Sequence, residues 1–291
     1  MNNTILKIEN LTKYYEKVLG VKDLSLELTQ GEVFGFIGPN GAGKSTTIRS
    51  IMNLINKTSG KVYFNDKELT SDDIELKRLI GYLPSEINLY EDLTVKQMID
   101  YHESFYKENL SERRKYLVEL LKLDETKKVD ELSLGNSKKL GIVLAFLHNP
   151  KLLILDEPTS GLDPIMQQTF YKLLEEEKQK GTTIFYSTHL LNEVSSLCDR
   201  VGIIKEGTLL NVESIEDLKR KNLNVVTIES NEINEIINDL SIGDYKYENN
   251  KLVFKNNKTP NELIKILSKY DIKNILIEEA TLEDIFLHYY Q

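Results

Sequence analysis

The stretch GPNGAGKST, which begins at Gly38, matches the pattern G-x-x-x-x-G-K-[ST] in full. Its glycines let the backbone turn tightly, so that successive N–H groups can point at phosphate oxygens. Lys44 has the type and position to reach the β- and γ-phosphates of a nucleotide, and Ser45 has those needed to ligate Mg²⁺. A helix after the loop would add its positive N-terminal end. We therefore expect a triphosphate to bind nine consecutive residues: Gly38, Pro39, Asn40, Gly41, Ala42, Gly43, Lys44, Ser45 and Thr46.

A second chemical motif is the acidic pair in LLILDEPTSGLDP, which begins at Leu152. Four apolar residues end in Asp156 and Glu157, as expected for a buried strand that delivers two carboxylates at its tip. Ligands of parallel sheets bind at the carboxyl ends of the strands, where these two carboxylates would lie. Asp156 is therefore expected to hold Mg²⁺, and Glu157 to face the water that attacks the γ-phosphate.

Strand and helix patterns alternate around these motifs. Apolar residues alternate in TILKIE and VKDLSLEL, and short buried strands are predicted for GEVFGFIG, KLLILDEP, TTIFYST and RVGIIKEG. Helical spacing is found at about residues 45–55, 164–180 and 190–197. Strands that alternate with helices predict a mostly parallel sheet with helices on both faces.

Two further regions have a different pattern. VKQMIDYHESFYK and SERRKYLVELLKL have apolar residues three and four apart, which predicts a helical insertion between residues 94 and 147 with Ser111 as an N-cap. After about residue 220, three strand-like and three helix-like segments alternate, and the last of them is LEDIFLHYY. We expect this tail to be a small second unit.

The composition limits the function classes. The chain has 291 residues and a formal net charge of −9, which makes it a poor candidate for binding nucleic acid, because a phosphate backbone needs a basic surface. Cys198 is the only cysteine, so no disulfide is expected within the chain, and a reducing compartment is expected. The longest apolar runs, such as IVLAFL, are far shorter than the roughly 20 residues of a membrane span.

Taken together, the motifs resemble the nucleotide-binding domain of ATP-binding cassette (ABC) proteins over about residues 4–220. ELSLGNSKKL is similar to the family's Leu-Ser-Gly-Gly-Gln signature, SGLD resembles the loop that joins two sites, and YSTH ends at the family's switch histidine, here His189. The resemblance implies an α/β fold, a P-loop NTPase cassette of the ABC type with a mixed sheet and a helical subdomain at about 88–147. It assigns this cassette to residues 1–220 and a small α+β domain of βαβ type to residues 221–291.

The family arrangement implies that two copies share each nucleotide. It places Ser133, Gly135 and Asn136, the last in place of the family's Gln, against the γ-phosphate held by the opposite subunit. It places Asp163 where this residue aligns the two sites across the dimer. The implied cofactors are ATP and Mg²⁺, and the implied partner is a second copy of the chain or a paralogous cassette.

Catalytic and metal-binding roles follow from the same resemblance. The implied catalytic residues are Glu157, His189 and Lys44, and the implied metal ligands are Ser45, Asp156 and Ser85. Ser85 stands where the family usually has Gln, so its neighbour Glu86 is an alternative ligand, and Leu134 stands where the signature usually has Gly. Tyr15 fits the aromatic residue that stacks on adenine, with Tyr14 as the competing choice.

The expected function is ATP hydrolysis by a subunit that dimerises on ATP and powers a separate membrane permease from the cytoplasmic face of the cell membrane. The tail, with its closing TLEDIF, resembles the extension of drug- and antibiotic-export cassettes, which favours an exporter of drugs, antibiotics, peptides or lipids. A soluble cassette ATPase of the iron–sulfur cluster assembly type is the main alternative. A DNA-repair or chromosome ATPase fits less well, because its coiled-coil or zinc-binding insertion has no counterpart between Lys44 and Ser133. A non-catalytic scaffold, or a translation factor with paired cassettes, is disfavoured by a single cassette that keeps Glu157 and His189. The sequence leaves the cargo and the direction of transport open.

Overall fold

The computed structural model describes residues 3–220, 224–243, 245–248, 250–256 and 258–279. The chain forms two compact units, Met1–Ser214 and Ile215–Gln291. The first unit ends shortly before the domain boundary predicted at residue 220. Within the described ranges, no helix is both long and apolar enough to cross a lipid bilayer.

The first unit contains both strands and helices. Its strands are β1 (Thr4–Tyr15), β2 (Val18–Thr29), β3 (Val33–Ile37), β4 (Ser59–Phe64), β5 (Lys67–Glu68), β6 (Ile80–Leu83), β7 (Leu152–Asp156), β8 (Thr183–Thr188), β9 (Arg200–Lys205) and β10 (Thr208–Ser214). Its helices are α1 (Lys44–Ile51), α2 (Ile74–Lys77), α3 (Val95–Glu103), α4 (Ser111–Leu121), α5 (Leu134–Phe146), α6 (Pro164–Gln179) and α7 (Leu191–Leu197), with a short 3-10 turn at Val129–Glu131.

A six-stranded sheet forms the centre of the first unit, in the order β10-β9-β3-β8-β7-β6. All its pairs are parallel except β10 with β9. A second, antiparallel sheet has the order β2-β1-β4-β5. The central strands β3, β7 and β8 are buried along their whole length, which is why they read as continuous apolar runs rather than alternating ones. Because these three strands are parallel, their carboxyl ends lie at one edge of the sheet.

The helices α3, α4 and α5 lie within the segment predicted to be a helical subdomain. Beyond its first turn α5 is almost entirely buried, so this helix forms the centre of the region. A buried ion pair ties the region to α6, where Arg113 Nη2 lies 2.5 Å from Glu177 Oε1. The predicted N-cap is wrong: Ser111 is the first residue of α4, Leu110 holds the cap position, and the Ser111 N–H donates to Asn109 Oδ1 at 3.0 Å.

The second unit is a βαββαβ arrangement that follows α8 (Ile215–Arg220). Its elements are β11 (Asn224–Ser230), α9 (Ile233–Leu240), β12 (Tyr245–Glu248), β13 (Lys251–Asn256), α10 (Pro260–Leu267) and β14 (Ile272–Glu279). The sheet order is β12-β13-β11-β14 with antiparallel pairs throughout, and the apolar faces of α9 and α10 join its core. One strand more than predicted is present, because β12 has only four residues and all its side chains are exposed. The predicted closing helix, with TLEDIF, lies outside the described residues.

His102 and His148 lie close together in the helical region, with ring centroids 5.8 Å apart. The rings of Tyr106 and His148 are stacked, with centroids 4.5 Å apart, and His148 Nε2 donates to the Ile80 carbonyl at 3.3 Å. Burial, together with the nearby His102, lowers the pKa of His148 to about 4, and burial also lowers the pKa of His102. Protonation of this pair is therefore opposed by the folded state.

The pair predicts a pH-dependent loss of stability. An unfolded histidine takes up a proton below about pH 6.5, whereas folded His148 stays neutral down to about pH 4. The stability from this group is thus complete above pH 6.5 and falls as the pH decreases. We expect His148→Phe, which keeps the stacking on Tyr106, to lose about 2 kcal/mol less unfolding free energy between pH 7 and pH 5 than the wild type. Urea unfolding followed by circular dichroism measures this, and equal losses in both proteins would contradict it.

Candidate active site

The phosphate loop connects the buried strand β3 to α1. Gly41 and Gly43 have φ angles of 81° and 105°, in the left-handed region that favours glycine. Gly38 is required by space instead, because an added Cβ would lie 2.4 Å from the Ile204 carbonyl oxygen. Ala42 of the same loop is buried, whereas Pro39, Asn40 and Gly41 are exposed. The loop therefore has the backbone turn that its sequence predicts.

Lys44 is the buried cation at the start of α1, with only 6% of its surface exposed. Its Nζ donates to the Gly38 carbonyl at 2.7 Å and to the Pro39 carbonyl at 3.3 Å. The same Nζ lies 3.4 Å from Glu157 Oε1. The loop's own oxygens and one carboxylate thus hold the ammonium group where phosphate oxygens could replace them.

The acidic pair lies at the carboxyl end of β7, next to β8. Asp156 is opposite Ser187 in the parallel ladder, and the Glu157 N–H donates to the Ser187 carbonyl at 3.0 Å. Asp156 is 1% exposed, and its Oδ1 has no hydrogen-bond partner among the described residues. A buried carboxylate oxygen without a donor is unfavourable unless a cation satisfies it, so this atom fits a metal ligand.

Glu157 connects the lysine to the histidine. Its backbone has a φ of 47°, a left-handed conformation that is strained for a glutamate. From there Oε1 faces Lys44, and Oε2 lies 2.8 Å from Nδ1 of the half-exposed His189. The structure thus brings together the three residues predicted to be catalytic. We call them the Lys44–Glu157–His189 chain.

The predicted signature residues lie at the start of α5 and contact the SGLD loop of the same chain. Ser133 is the exposed N-cap, and its Oγ accepts a hydrogen bond from the Asn136 N–H at 3.4 Å. A Cβ on Gly135 would lie 2.8 Å from the Gly161 carbonyl oxygen, so the two segments touch backbone to backbone. Leu134 lies against Gly161 as well, although it stays 74% exposed.

Asp163 begins the next helix in the same way as Ser133 begins α5. Its Oδ1 accepts from the Met166 N–H at 3.0 Å, which caps α6. Both predicted dimer residues therefore also have a local role as helix N-caps.

Tyr15 borders the far end of the phosphate loop. An added Cβ on Gly20 would lie 3.1 Å from Tyr15 Cε2 and 3.0 Å from Thr46 Cγ2, so Gly20 separates the ring from the loop. Lys13 Nζ lies 4.8 Å from the centroid of the Tyr15 ring. This position favours Tyr15 over Tyr14 as the aromatic residue beside the site.

Lys138 is a residue that the sequence analysis missed. It is 3% exposed, and its Nζ donates to the carbonyls of Pro84 and Ser85 at 3.3 and 3.2 Å. Burial lowers its pKa to about 8, while the charges of Asp156 and Glu157 oppose that shift. The available signal was its place in NSKKLGIVLAF, one helical turn before buried apolar residues.

Two family models match the chain. A model described as "ABC transporter" matches residues 21–160. A second, described as an AAA domain of a putative AbiEii toxin from a type IV toxin–antitoxin system, matches residues 128–195. Together the two matches include all three members of the Lys44–Glu157–His189 chain.

Two curated relatives are similar over most of the chain. The bacitracin transport ATP-binding protein BcrA of Bacillus licheniformis is 34% identical, over 98% of this chain and 97% of BcrA. The lantibiotic transport ATP-binding protein SrtF of Streptococcus pyogenes is 38% identical, over 71% of this chain and 89% of SrtF.

Solved structures are similar in fold. One described as the ATP-binding subunit of an ABC transporter has a TM-score of 0.70 at 30% identity and covers 75% of this chain and 92% of that one. A dimeric structure of a bacterial ABC transporter cassette has a TM-score of 0.66 at 26% identity, with coverage of 72% and 99%. The chain belongs to the family of ABC transporter ATP-binding proteins, and it is an ATPase coupled to transport. The resemblance and the fold class inferred from the sequence are confirmed.

Proposed function

We propose that this ABC ATPase dimerises on ATP and energises an exporter whose membrane pathway is a separate permease. The observation that carries the proposal is the Lys44–Glu157–His189 chain, formed where β3, β7 and β8 end. It places a phosphate-binding cation, a carboxylate that can accept a proton and an imidazole in direct contact. These are the groups that positioned hydrolysis of a terminal phosphate uses.

Mg²⁺ is the proposed cofactor beside ATP. Its proposed ligands are Asp156, Ser45 and Ser85, an all-oxygen set of the kind that Mg²⁺ prefers. The buried Asp156 Oδ1, which has no donor in the described part of the chain, supports this assignment. When bound, the ion supplies positive charge against the β- and γ-phosphates. Glu86, which is exposed next to the half-buried Ser85, is the alternative third ligand.

The three residues of the Lys44–Glu157–His189 chain have distinct proposed roles. Lys44 exchanges the carbonyl oxygens of Gly38 and Pro39 for phosphate oxygens, because all of these accept from the same N–H donors. Once the phosphates hold the lysine, Glu157 Oε1 is available to orient the attacking water and take its proton. His189 keeps Oε2 of Glu157 in place. From the same edge of the sheet it can hydrogen-bond the γ-phosphate, so that its contacts depend on whether that phosphate is present.

A second copy is proposed to complete each site. The start of α5 is exposed at Ser133, and a helix N-terminus attracts an anion such as a γ-phosphate. Gly135 and Asn136 belong to the same turn, and Asp163 lies on the loop that touches it. A related cassette is described as dimeric, which supports the pairing of two copies. Either a homodimer or a heterodimer with a paralogous cassette would supply the second subunit that completes each site.

The proposed cargo class follows from the relatives. BcrA and SrtF are named for the transport of bacitracin and of a lantibiotic, and both are ATP-binding proteins. An antibiotic or a peptide is therefore the favoured cargo, with drugs and lipids as the wider class. The ATPase would bind its permease peripherally, at the cytoplasmic face of the membrane. An iron–sulfur cluster assembly ATPase is disfavoured by the same relatives.

Replacement of Glu157 tests its role as the proton acceptor. Glu157→Gln keeps the size of the side chain but removes the proton acceptor, so ATP hydrolysis should fall by about 100-fold or more while ATP binding persists. Phosphate release measures turnover, and a fluorescent ATP analogue measures binding. The trapped protein should also elute as a dimer on a sizing column in the presence of ATP.

The matched control is Glu175→Gln, an exposed glutamate on α6 that should keep normal turnover. If Glu157→Gln hydrolysed ATP at the wild-type rate, Glu157 would not be the base and the proposed mechanism would be wrong.

Capture from membranes tests the proposed permease partner. Tagged chain captured from detergent-solubilised membranes of its own cells should carry a protein with several membrane spans, identified by mass spectrometry. Reconstituted in vesicles, that complex should hydrolyse ATP, and the same complex built with Glu157→Gln should not. Recovery of water-soluble partners only, such as iron–sulfur scaffold proteins, would favour the alternative function.

A further inference from the structure

A buried carboxylate lies behind the active site. Glu193 is in the first turn of α7, four residues after His189, and only 2% of its surface is exposed. A buried carboxylate needs donors on both oxygens, or it is strongly unfavourable. The hydrogen-bond partners of Glu193 therefore show which segments of the chain it joins.

Three hydroxyl groups from three different elements donate to this carboxylate. Thr159 Oγ1 donates to Oε1 at 2.6 Å, and Tyr171 OH donates to the same oxygen at 2.9 Å. Thr188 Oγ1 donates to Oε2 at 2.6 Å and in turn accepts from the Leu190 N–H at 3.0 Å. The two threonine distances, 2.6 Å each, lie in the range of short, strong hydrogen bonds from a hydroxyl to a carboxylate, whereas the tyrosine bond is longer.

The two threonines belong to the segments that carry the catalytic pair. Thr159 lies two residues after Glu157, and Thr188 immediately precedes His189. One carboxylate thus joins the loop after β7 to the end of β8, the two segments whose side chains meet at 2.8 Å. Tyr171 lies on α6, a helix that contains neither Glu157 nor His189.

The backbone of Glu157 is strained, and the link through Glu193 can hold it in that conformation. A left-handed glutamate persists only where its surroundings hold it, and the Ser160 N–H donates to the Glu157 carbonyl at 3.2 Å in the turn that Thr159 anchors. Without the anchor, the turn could relax and move the carboxylate of Glu157 away from His189. Displacements of about 1 Å at reacting groups lower rates steeply.

We propose that Glu193 is a positioning residue, which holds Glu157 and His189 in register by binding Thr159 and Thr188. The inference rests on the proposed roles of Glu157 and His189 in ATP hydrolysis. Glu193 itself touches no substrate atom in this proposal and acts through the two threonines. Lys44 Nζ contacts Glu157 but also donates to the Gly38 and Pro39 carbonyls, which do not depend on Glu193, so nucleotide affinity should change little when the link is removed.

The experiment compares single-hydroxyl deletions. Thr159→Val and Thr188→Val each remove one donor to Glu193 at nearly constant volume, and we expect kcat to fall about 10-fold with KM for ATP unchanged within about 2-fold. Tyr171→Phe removes a donor to the same carboxylate from an element without a catalytic residue, and its kcat should stay within about 2-fold of the wild type. Thr159→Ser and Thr188→Ser restore the hydroxyl and should restore kcat.

Three outcomes decide between the possibilities. Normal kcat in both valine variants would overturn the positioning role, and so would an equal loss in Tyr171→Phe, since that indicates a purely structural cluster. Loss of kcat that serine does not restore would overturn it as well. Wild-type turnover in Glu157→Gln would instead remove the proposed function, whatever the threonine variants do. Thermal unfolding of each variant, measured in parallel, identifies losses that come from misfolding, and the serine variants then decide the question.

Discussion

An ATP-binding protein with a net charge of −9 must hold a triphosphate against its own negative charge. The structure meets this constraint locally, at the end of β3. Lys44 is buried there, with its ammonium group held by two loop carbonyls and by Glu157. The rest of the proposed site depends on this buried positive charge, because in the proposed function it sets where the phosphates lie and therefore where a water can attack.

The parallel sheet delivers the other groups to the same place. β7 ends in Asp156, and β8 ends directly before His189, so two strands bring acid and imidazole to the edge where β3 brings the lysine. Behind them, Glu193 joins the two strand ends, and Lys138 joins α5 to the loop after β6. Charge that is buried and fully hydrogen-bonded fixes geometry, which is what a hydrolytic site needs.

The sequence was sufficient for the parts of this site that depend on neighbours along the chain. The loop at Gly38 and the acidic pair at Asp156 are local patterns, and the buried strands that precede them are continuous apolar runs. It was insufficient where a partner is distant: nothing local indicates that Glu193 receives hydroxyls from the loop after β7, or that Lys138 reaches the Ser85 carbonyl. The extra strand β12 escaped for another reason, since it has only four residues and all its side chains are exposed.

The central claim is that two copies bind ATP between them. The start of α5 in one copy, at Ser133, then faces the phosphate loop of the other. Its most direct test mixes two versions of the chain, both with Cys198→Ala and Glu157→Gln, one with Ser133→Cys and one with the exposed Asn40→Cys. With a short bis-maleimide and Mg²⁺-ATP, the mixture should give a cross-linked dimer that is absent without ATP and weaker in either version alone. The absence of any ATP-dependent cross-link between chains, in protein that still binds ATP, would contradict the claim.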